Sequence, residues 1–295
     1  MHIIVSGASG LIGSSLVPAL TAAGHTVAPL VRREPKAGEI RWNPAAGELD
    51  PAALEGADAI VHLAGAGIGD HRWTDDYKRE LIDSRVLSTR LLAQRAAAAG
   101  VKVMLSGSAV GYYGHTGDEQ LDEAAPAGDD FLARLCVDWE TAADPAREAG
   151  VRVTHIRTGI VLAPKGGALG KMLPLFRLGV GGPFGNGRQW QSWISLPDEV
   201  GAIVHLLTHD VAGPVNLTAP NPVTNKEFAR TLAKVVHRPS LVPVPRFGPA
   251  LLLGGELADA LLYTGQRVLP AQLQASGYSF QHDTLDVALR AVLGR

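Results

Sequence analysis

The chain opens on a short apolar run, Ile3–Ser6, that stops at a glycine cluster and reads as a buried strand. Leu11–Ala23 carries apolar positions at helical spacing and predicts a helix, and Thr26–Val31 predicts a second strand. The alternation continues. Ile40–Asn43, Ala59–Leu63, Val101–Ser106 and Val151–Ile156 predict the third to sixth strands, with helices over Asp76–Ala99 and Phe131–Ala149. Strands that alternate with helices predict an α/β chain, its parallel sheet covered on both faces. Right-handed crossovers make that sheet doubly wound. Pro18 falls inside the first helix, removes a backbone donor there and predicts a bend near Ser14.

After Leu162 the pattern changes. Ala163–Gly187 is rich in Gly and Pro, with a short helical piece near Leu169–Leu178. Pro197–Leu207 reads as a helix, Val215–Thr218 as a late strand and Thr224–Val236 as an amphipathic helix. A Pro-rich link, Pro239 to Pro249, leads into further helix. The expected organisation is a dinucleotide-binding domain from 1–163 and 192–220. A smaller, mostly helical C-terminal lobe takes 164–191 and 221–295.

Charge narrows the partners. Lys+Arg 27 against Asp+Glu 29 leaves a formal charge of -2, so no basic field exists for nucleic acid or an anionic membrane. The single cysteine, Cys136, excludes an internal disulfide and a cysteine-based zinc site. His205 and His209 are spaced as a helical metal pair, but no third ligand accompanies them, so no metal is expected. The N-terminus lacks a signal-peptide pattern, and no apolar run reaches the ~18 residues of a membrane span. The expectation is a soluble cytoplasmic protein, monomeric or homodimeric, that handles a small molecule.

The candidate chemistry starts at Gly7-Ala8-Ser9-Gly10-Leu11-Ile12-Gly13, a G-x-x-G-x-x-G run between a strand and a helix. Glycines let the backbone approach a pyrophosphate closely, and the helix N-terminus offers free N–H groups. Gly7, Ser9, Gly10, Leu11 and Ile12 are therefore cofactor-binding candidates. The second strand ends in Arg32 and Arg33, where an acidic residue would hold a ribose 2′-hydroxyl. Arginines there suit a 2′-phosphate, so the expected cofactor is NADP.

His62-Leu63-Ala64-Gly65, Ser106-Gly107-Ser108-Ala109-Val110-Gly111-Tyr112-Tyr113-Gly114 and Arg157-Thr158-Gly159 follow the fourth, fifth and sixth strands. With the glycine spacing, they resemble the extended short-chain dehydrogenase/reductase superfamily. More narrowly, the run Gly185-Asn186-Gly187-Arg188-Gln189-Trp190-Gln191-Ser192-Trp193-Ile194 resembles the epimerase family of the bacterial YfcH and SDR39U1 type. Phe131-Leu132-Ala133 with Cys136, Trp139 and Glu140, and the C-terminal Gly265–Pro270 and Gly277–Phe280, carry the same likeness. The resemblance implies a Rossmann fold with an appended C-terminal segment. It also implies cofactor contacts at Leu63, Ala64, Gly65, Arg85 and Gly159.

Carbonyl reduction in this superfamily uses a Ser, a Tyr acid and a Lys four residues after the Tyr. Aligned on Glu140, Leu132 stands at the Tyr position and Cys136 at the Lys position; a register shifted by four puts Cys136 at Tyr and Glu140 at Lys, the distance on to Arg157 favours the first, and neither supplies the pair. Ser108 is left as the one catalytic candidate. Arg72, Trp73, Tyr113 and Trp193 are candidates to place the substrate, in loops beyond the strand ends. The leading expectation is an NADP-dependent oxidoreductase or nucleotide-sugar-epimerase-like protein acting on a small substrate. The alternative, favoured by the missing Tyr–Lys pair, is a non-catalytic NADP(H)-binding sensor or interaction protein.

Overall fold

Eight strands hydrogen-bond into one sheet in the computed structural model, which describes residues 1–240 and 243–295. They are β1 (His2–Ser6), β2 (Thr26–Val31), β3 (Ile40–Asn43), β4 (Glu48–Leu49), β5 (Ala59–His62), β6 (Val103–Ala109), β7 (Arg152–Thr158) and β8 (Gly213–Leu217). The spatial order is β8-β7-β6-β5-β1-β2-β3-β4. Every pairing is parallel except β3 with β4, a two-residue antiparallel edge. From β1 the chain winds one way to β2 and β3, then returns to β5 on the other side. That reversal opens a crevice beyond the C-terminal ends of β1 and β5, where open α/β sheets bind ligands. The expected doubly wound parallel sheet is thus observed.

Alternation along β1 divides the core. Ile3 and Val5 pack with Leu16, Leu20 and the helix Leu196–Thr208 on one face. Ile4 packs with Trp42, Leu92 and Met104 under the helix Asp75–Ala99 on the other. Both sheet faces are therefore apolar, as parallel sheets require. A separate cluster around Phe176, Phe228, Leu232 and Leu289 ties the late helices to Leu162 and Trp193.

Local rules account for the helix ends. Thr74 caps Asp75–Ala99 by accepting from Tyr77 N, and Gly100 closes it in the left-handed region at φ 67. Asp130 caps Phe131–Thr141 by accepting from Ala133 N. The single helix expected over Phe131–Ala149 is two, Phe131–Thr141 and Asp144–Glu148. Pro145 explains the break: it has no N–H for the preceding turn, and it suits the start of a new helix. Pro18 is absorbed inside Gly13–Ala22, which runs without interruption. The Pro-rich link Pro239–Pro249 includes positions 241 and 242, which lie outside the described residues.

Three short pairings carry no clear periodicity. Ile160–Leu162 pairs in parallel with Trp193–Ser195, and Trp190–Gln191 pairs antiparallel with Val223–Thr224. Gln120–Leu121 and Arg267–Val268 pair in parallel, which docks the C-terminal segment onto the loop after β6.

Gly7 is the sharpest backbone constraint. It sits at φ 70, and a Cβ there would lie 2.7 Å from the Leu63 carbonyl carbon. Gly24 has a similar φ of 84 but open space around it. Gly24→Ala should therefore cost only the left-handed conformation, about 1–2 kcal/mol. Gly7→Ala should cost clearly more, because the Leu63 backbone must also move. Urea denaturation of the two variants checks this, and equal losses would contradict the close approach.

Candidate functional site

The end of β1 is locked to the end of β5 by a buried polar chain. Ser6 Oγ lies 2.5 Å from His62 Nδ1 and accepts the Leu63 and Ala64 N–H groups at 3.2 and 3.3 Å. His62 Nε2 lies 3.0 Å from Ser88 Oγ, which donates to the Ser84 carbonyl. With both amides donating to Ser6, its hydroxyl proton goes to Nδ1, and Nε2–H faces Ser88. Burial, and after it the Arg85 charge, presses the His62 pKa down to about 3. The ring is neutral, and its two bonds hold Leu63 and Ala64 against Gly7.

The glycine turn then follows. Gly10 N donates to Gly7 O at 2.9 Å. A Cβ on Gly13 would come within 2.2 Å of Gly7 O, so the helix can start this close to the strand only with glycine. The N–H groups of Ser9, Leu11 and Ile12 have no backbone partner among the described residues. Free amides at a helix N-terminus make an anion cradle. Gly10 differs from its neighbours, since a Cβ there meets only Gly7 O at 3.2 Å. Its position matters to what approaches from outside.

At the end of β2 the two arginines separate. Arg33 forms a fork with Glu39 at 2.7 and 2.5 Å, and this bond draws the Glu39 pKa down to about 2. Arg33 is therefore engaged with Glu39, and a ligand phosphate would have to compete with that exposed pair. Arg32 is exposed and makes no hydrogen bond among the described residues.

Beyond β6 and β7 lies a cavity of about 300 Å³. Leu132 and Cys136, at the Tyr and Lys positions of the superfamily, both face it across Gly111. The Cys136 thiol is 4% exposed, and burial with Glu140 nearby pushes it up to about 12. It stays protonated at neutral pH. Arg85 lines the same cavity, donating to the Leu81 and Ala66 carbonyls at 3.0 Å each, with its guanidinium over the Trp139 ring. Gly159 lines it too; a Cβ there would lie 2.5 Å from Ser192 O. Behind Thr158, the buried Glu199 carboxyl is pushed up to about 8 by desolvation.

Several side chains read as site residues do other work. Ser108 does not present its hydroxyl to the cavity. It is 4% exposed and donates to Glu140 Oε1 at 2.6 Å, because Glu140 lies one turn after Cys136 and reaches back over β6. Glu140 in turn takes a bidentate pair from Arg157 at 2.8 and 2.9 Å. Tyr113 is 1% exposed; its hydroxyl donates to Asn216 and accepts from Arg157, so it packs and does not place a substrate. Trp193 is fully buried in the cluster with Phe176 and Phe228, and its indole N–H donates to Asn221 O, so it does not wall the cleft. Arg72 reaches the Leu251 and Leu252 carbonyls at the end of the helix Phe247–Leu253 and pins that segment, not a substrate. Trp73 packs edge-on against Phe131 and donates to Ile68 O, which also keeps it out of the cavity. The network Ser108–Glu140–Arg157–Tyr113 and the Arg33–Glu39 fork were missed. Glu39, six residues beyond Arg33, was the available signal for the second.

The sheet, the glycine turn at its reversal and the cavity beyond β6 and β7 define a doubly wound α/β protein of the Rossmann type. Residues 3–218 match the NAD dependent epimerase/dehydratase family, and residues 244–292 match a domain of unknown function, DUF1731. An epimerase family protein of Mycobacterium bovis is 48% identical over 97% of this chain and 96% of its own. Human epimerase family protein SDR39U1 is 38% identical over 99% of this chain and 100% of its own. A crystal structure of human SDR39U1 with NADPH superposes at a TM-score of 0.90 and 35% identity, covering 100% of this chain and 99% of that one. The chain belongs to the NAD dependent epimerase/dehydratase family, with the C-terminal DUF1731 segment. Among the described residues, no helix is long and apolar enough to cross a membrane.

The neutral His62 has a pH signature. An unfolded histidine protonates near pH 6.5, whereas the native ring resists to about pH 3. As pH falls between these values the unfolded state binds the extra proton, so stability present above about pH 6.5 is lost below it. The slope from this one group is about 1.4 kcal/mol per pH unit. His62→Gln should flatten that part of a stability–pH curve, and an unchanged slope would contradict the neutral buried ring.

Proposed function

We propose that this chain is an NADP-dependent oxidoreductase or epimerase-like protein that acts on a small substrate in the cavity beyond β6 and β7. The observation that carries the reading is the cradle. Gly7 and Gly13 occupy positions where a Cβ would collide with backbone, and the Ser9, Leu11 and Ile12 amides are free to meet a pyrophosphate. The unengaged Arg32 fits a 2′-phosphate at the end of β2. Leu63, Ala64 and Gly65 would run along the cofactor, and Gly159 would border its nicotinamide. NADPH on human SDR39U1 supports the same cofactor for this relative. The cofactor supplies or accepts a hydride when bound. The residues of this chain position it, exclude water around the apolar cavity and keep the Cys136 proton in place.

A second reading is cofactor binding without turnover, as a sensor or interaction protein. It is favoured by Leu132 and Cys136 at the proton-relay positions and by the engagement of the Ser108 hydroxyl with Glu140. Turnover of bound NADPH against a metabolite panel separates the two.

Two outcomes are expected in fluorescence titrations. NADPH should bind at least tenfold tighter than NADH, about 1.4 kcal/mol, and Arg32→Glu should erase that preference. Arg33→Ala should leave it largely intact, because Glu39 already holds that side chain. Equal affinities in the wild type would sink the NADP assignment. Gly10→Val should abolish NADPH binding while circular dichroism stays near native, since its Cβ meets only Gly7 O. Retained affinity would place the pyrophosphate elsewhere.

A further inference from the structure

Arg85 is a buried cation without a counter-ion. Its residue exposure is 9%, its two carbonyl partners are neutral, and no carboxylate lies within ion-pair distance among the described residues. The other strongly buried guanidinium here, Arg157, is matched by Glu140 at 2.8 Å. Buried charge is unfavourable unless an opposite charge or strong acceptors complete its shell. Arg85 lines the cavity, so the missing partner is one that enters it.

The rest of the cavity says what kind of body that partner has. Its walls are mainly Leu132, Leu135, Cys136, Trp139, Ile160 and Leu261. Most polar side chains on it are already satisfied by the protein. Ser192 Oγ donates to Gln266 O and accepts from Val268 N; Thr264 donates to Ala260 O; Thr158 donates to Glu199; Trp190 donates to Asp118. Arg85 and the amides of Gln191 and Gln266 are what remain. A hexose would leave most of its hydroxyls against hydrocarbon, where an unpaired polar group is costly. Size argues the same way. About 300 Å³ lies at the small end of ligand sites. A Cβ on Gly265 would lie 1.9 Å from Trp190 O, so the C-terminal segment is packed down onto this wall.

We infer that the cavity takes a compound of about one ring, apolar over most of its surface, with a carbonyl or carboxylate oxygen held by Arg85, and that it does not take a nucleotide sugar. The inference rests on the cofactor reading above, because the same chamber would border the nicotinamide. The cofactor phosphates belong to the glycine turn and Arg32; Arg85, expected from the resemblance to touch the cofactor, also lines the cavity and can reach a second ligand there.

The test is a binding measurement on the full chain saturated with NADP⁺, by calorimetry, with acetophenone, benzoate and UDP-glucose as probes at millimolar concentration. Binding of acetophenone or benzoate is expected, and the two arms show whether a carbonyl or a carboxylate is preferred. Arg85→Met, checked by circular dichroism, should weaken the bound probe at least tenfold and weaken NADPH by a clearly smaller factor. Leu132→Trp, which fills the cavity from a partly exposed position, should weaken it as well, so the conclusion does not depend on Arg85→Met folding. UDP-glucose should neither bind nor compete. Absence of binding by both ring probes, or competition by UDP-glucose, overturns the inference. So does a loss of NADPH affinity in Arg85→Met equal to that of the probe, which would assign the guanidinium to the cofactor. Failure of wild-type NADPH binding would instead overturn the cofactor reading, and is scored separately.

Discussion

The site depends on how closely the backbone ends of β1 and β5 approach each other. Gly7 lies against Leu63 and Ala64 with no room for a Cβ, and Ser6 and His62 hold the two ends from within the core. The energetic logic is local. An unpaired imidazole at this depth would be costly, but both of its nitrogens are satisfied and its charge is suppressed. The chain therefore gains a rigid joint where the sheet reverses direction. The helix N-terminus, the free amides and Arg32 are all placed relative to that joint.

The far end of the crevice follows a different rule. In short-chain dehydrogenases a tyrosine and a lysine share one helix face toward the substrate. Here that face carries Leu132 and Cys136, and the next turn, Glu140, is turned inward to Arg157 and Ser108. The polar machinery of the region is thus consumed in holding α/β packing together, and the cavity it leaves is apolar with one buried cation. Cofactor positioning and proton supply are separate properties of the fold, and this chain keeps the apparatus for the first while the second is rearranged. The C-terminal segment matters because it docks through Gln120–Leu121 with Arg267–Val268 and provides Leu261 and Thr264 to the cavity wall.

Much of this was legible in the residues. Short apolar runs alternating with amphipathic helices, and a glycine run placed between the first strand and helix, were sufficient for the sheet and the turn. Leu132 and Cys136 were readable as replacements because helical spacing puts them on one face. What escaped depends on contacts distant in sequence or on competition between neighbours. Ile160–Leu162 and Trp193–Ser195 are too short to show a period, and their pairing follows from tertiary packing. Trp193 looked like a cleft wall because an aromatic in a polar run can serve either role; the cluster around Phe228 decides it. Arg72 and Ser108 had the right chemistry for a ligand, but a helix C-terminus and a neighbouring carboxylate claim them first.

The most direct measurement is a crystal structure of the chain grown with NADPH. The pyrophosphate should lie within hydrogen-bond distance of the Ser9, Leu11 and Ile12 amides, the 2′-phosphate on Arg32, and the nicotinamide beside Gly159. Density for the dinucleotide away from the glycine turn, or a turn whose Gly7–Leu63 approach opens to admit it, would contradict the account.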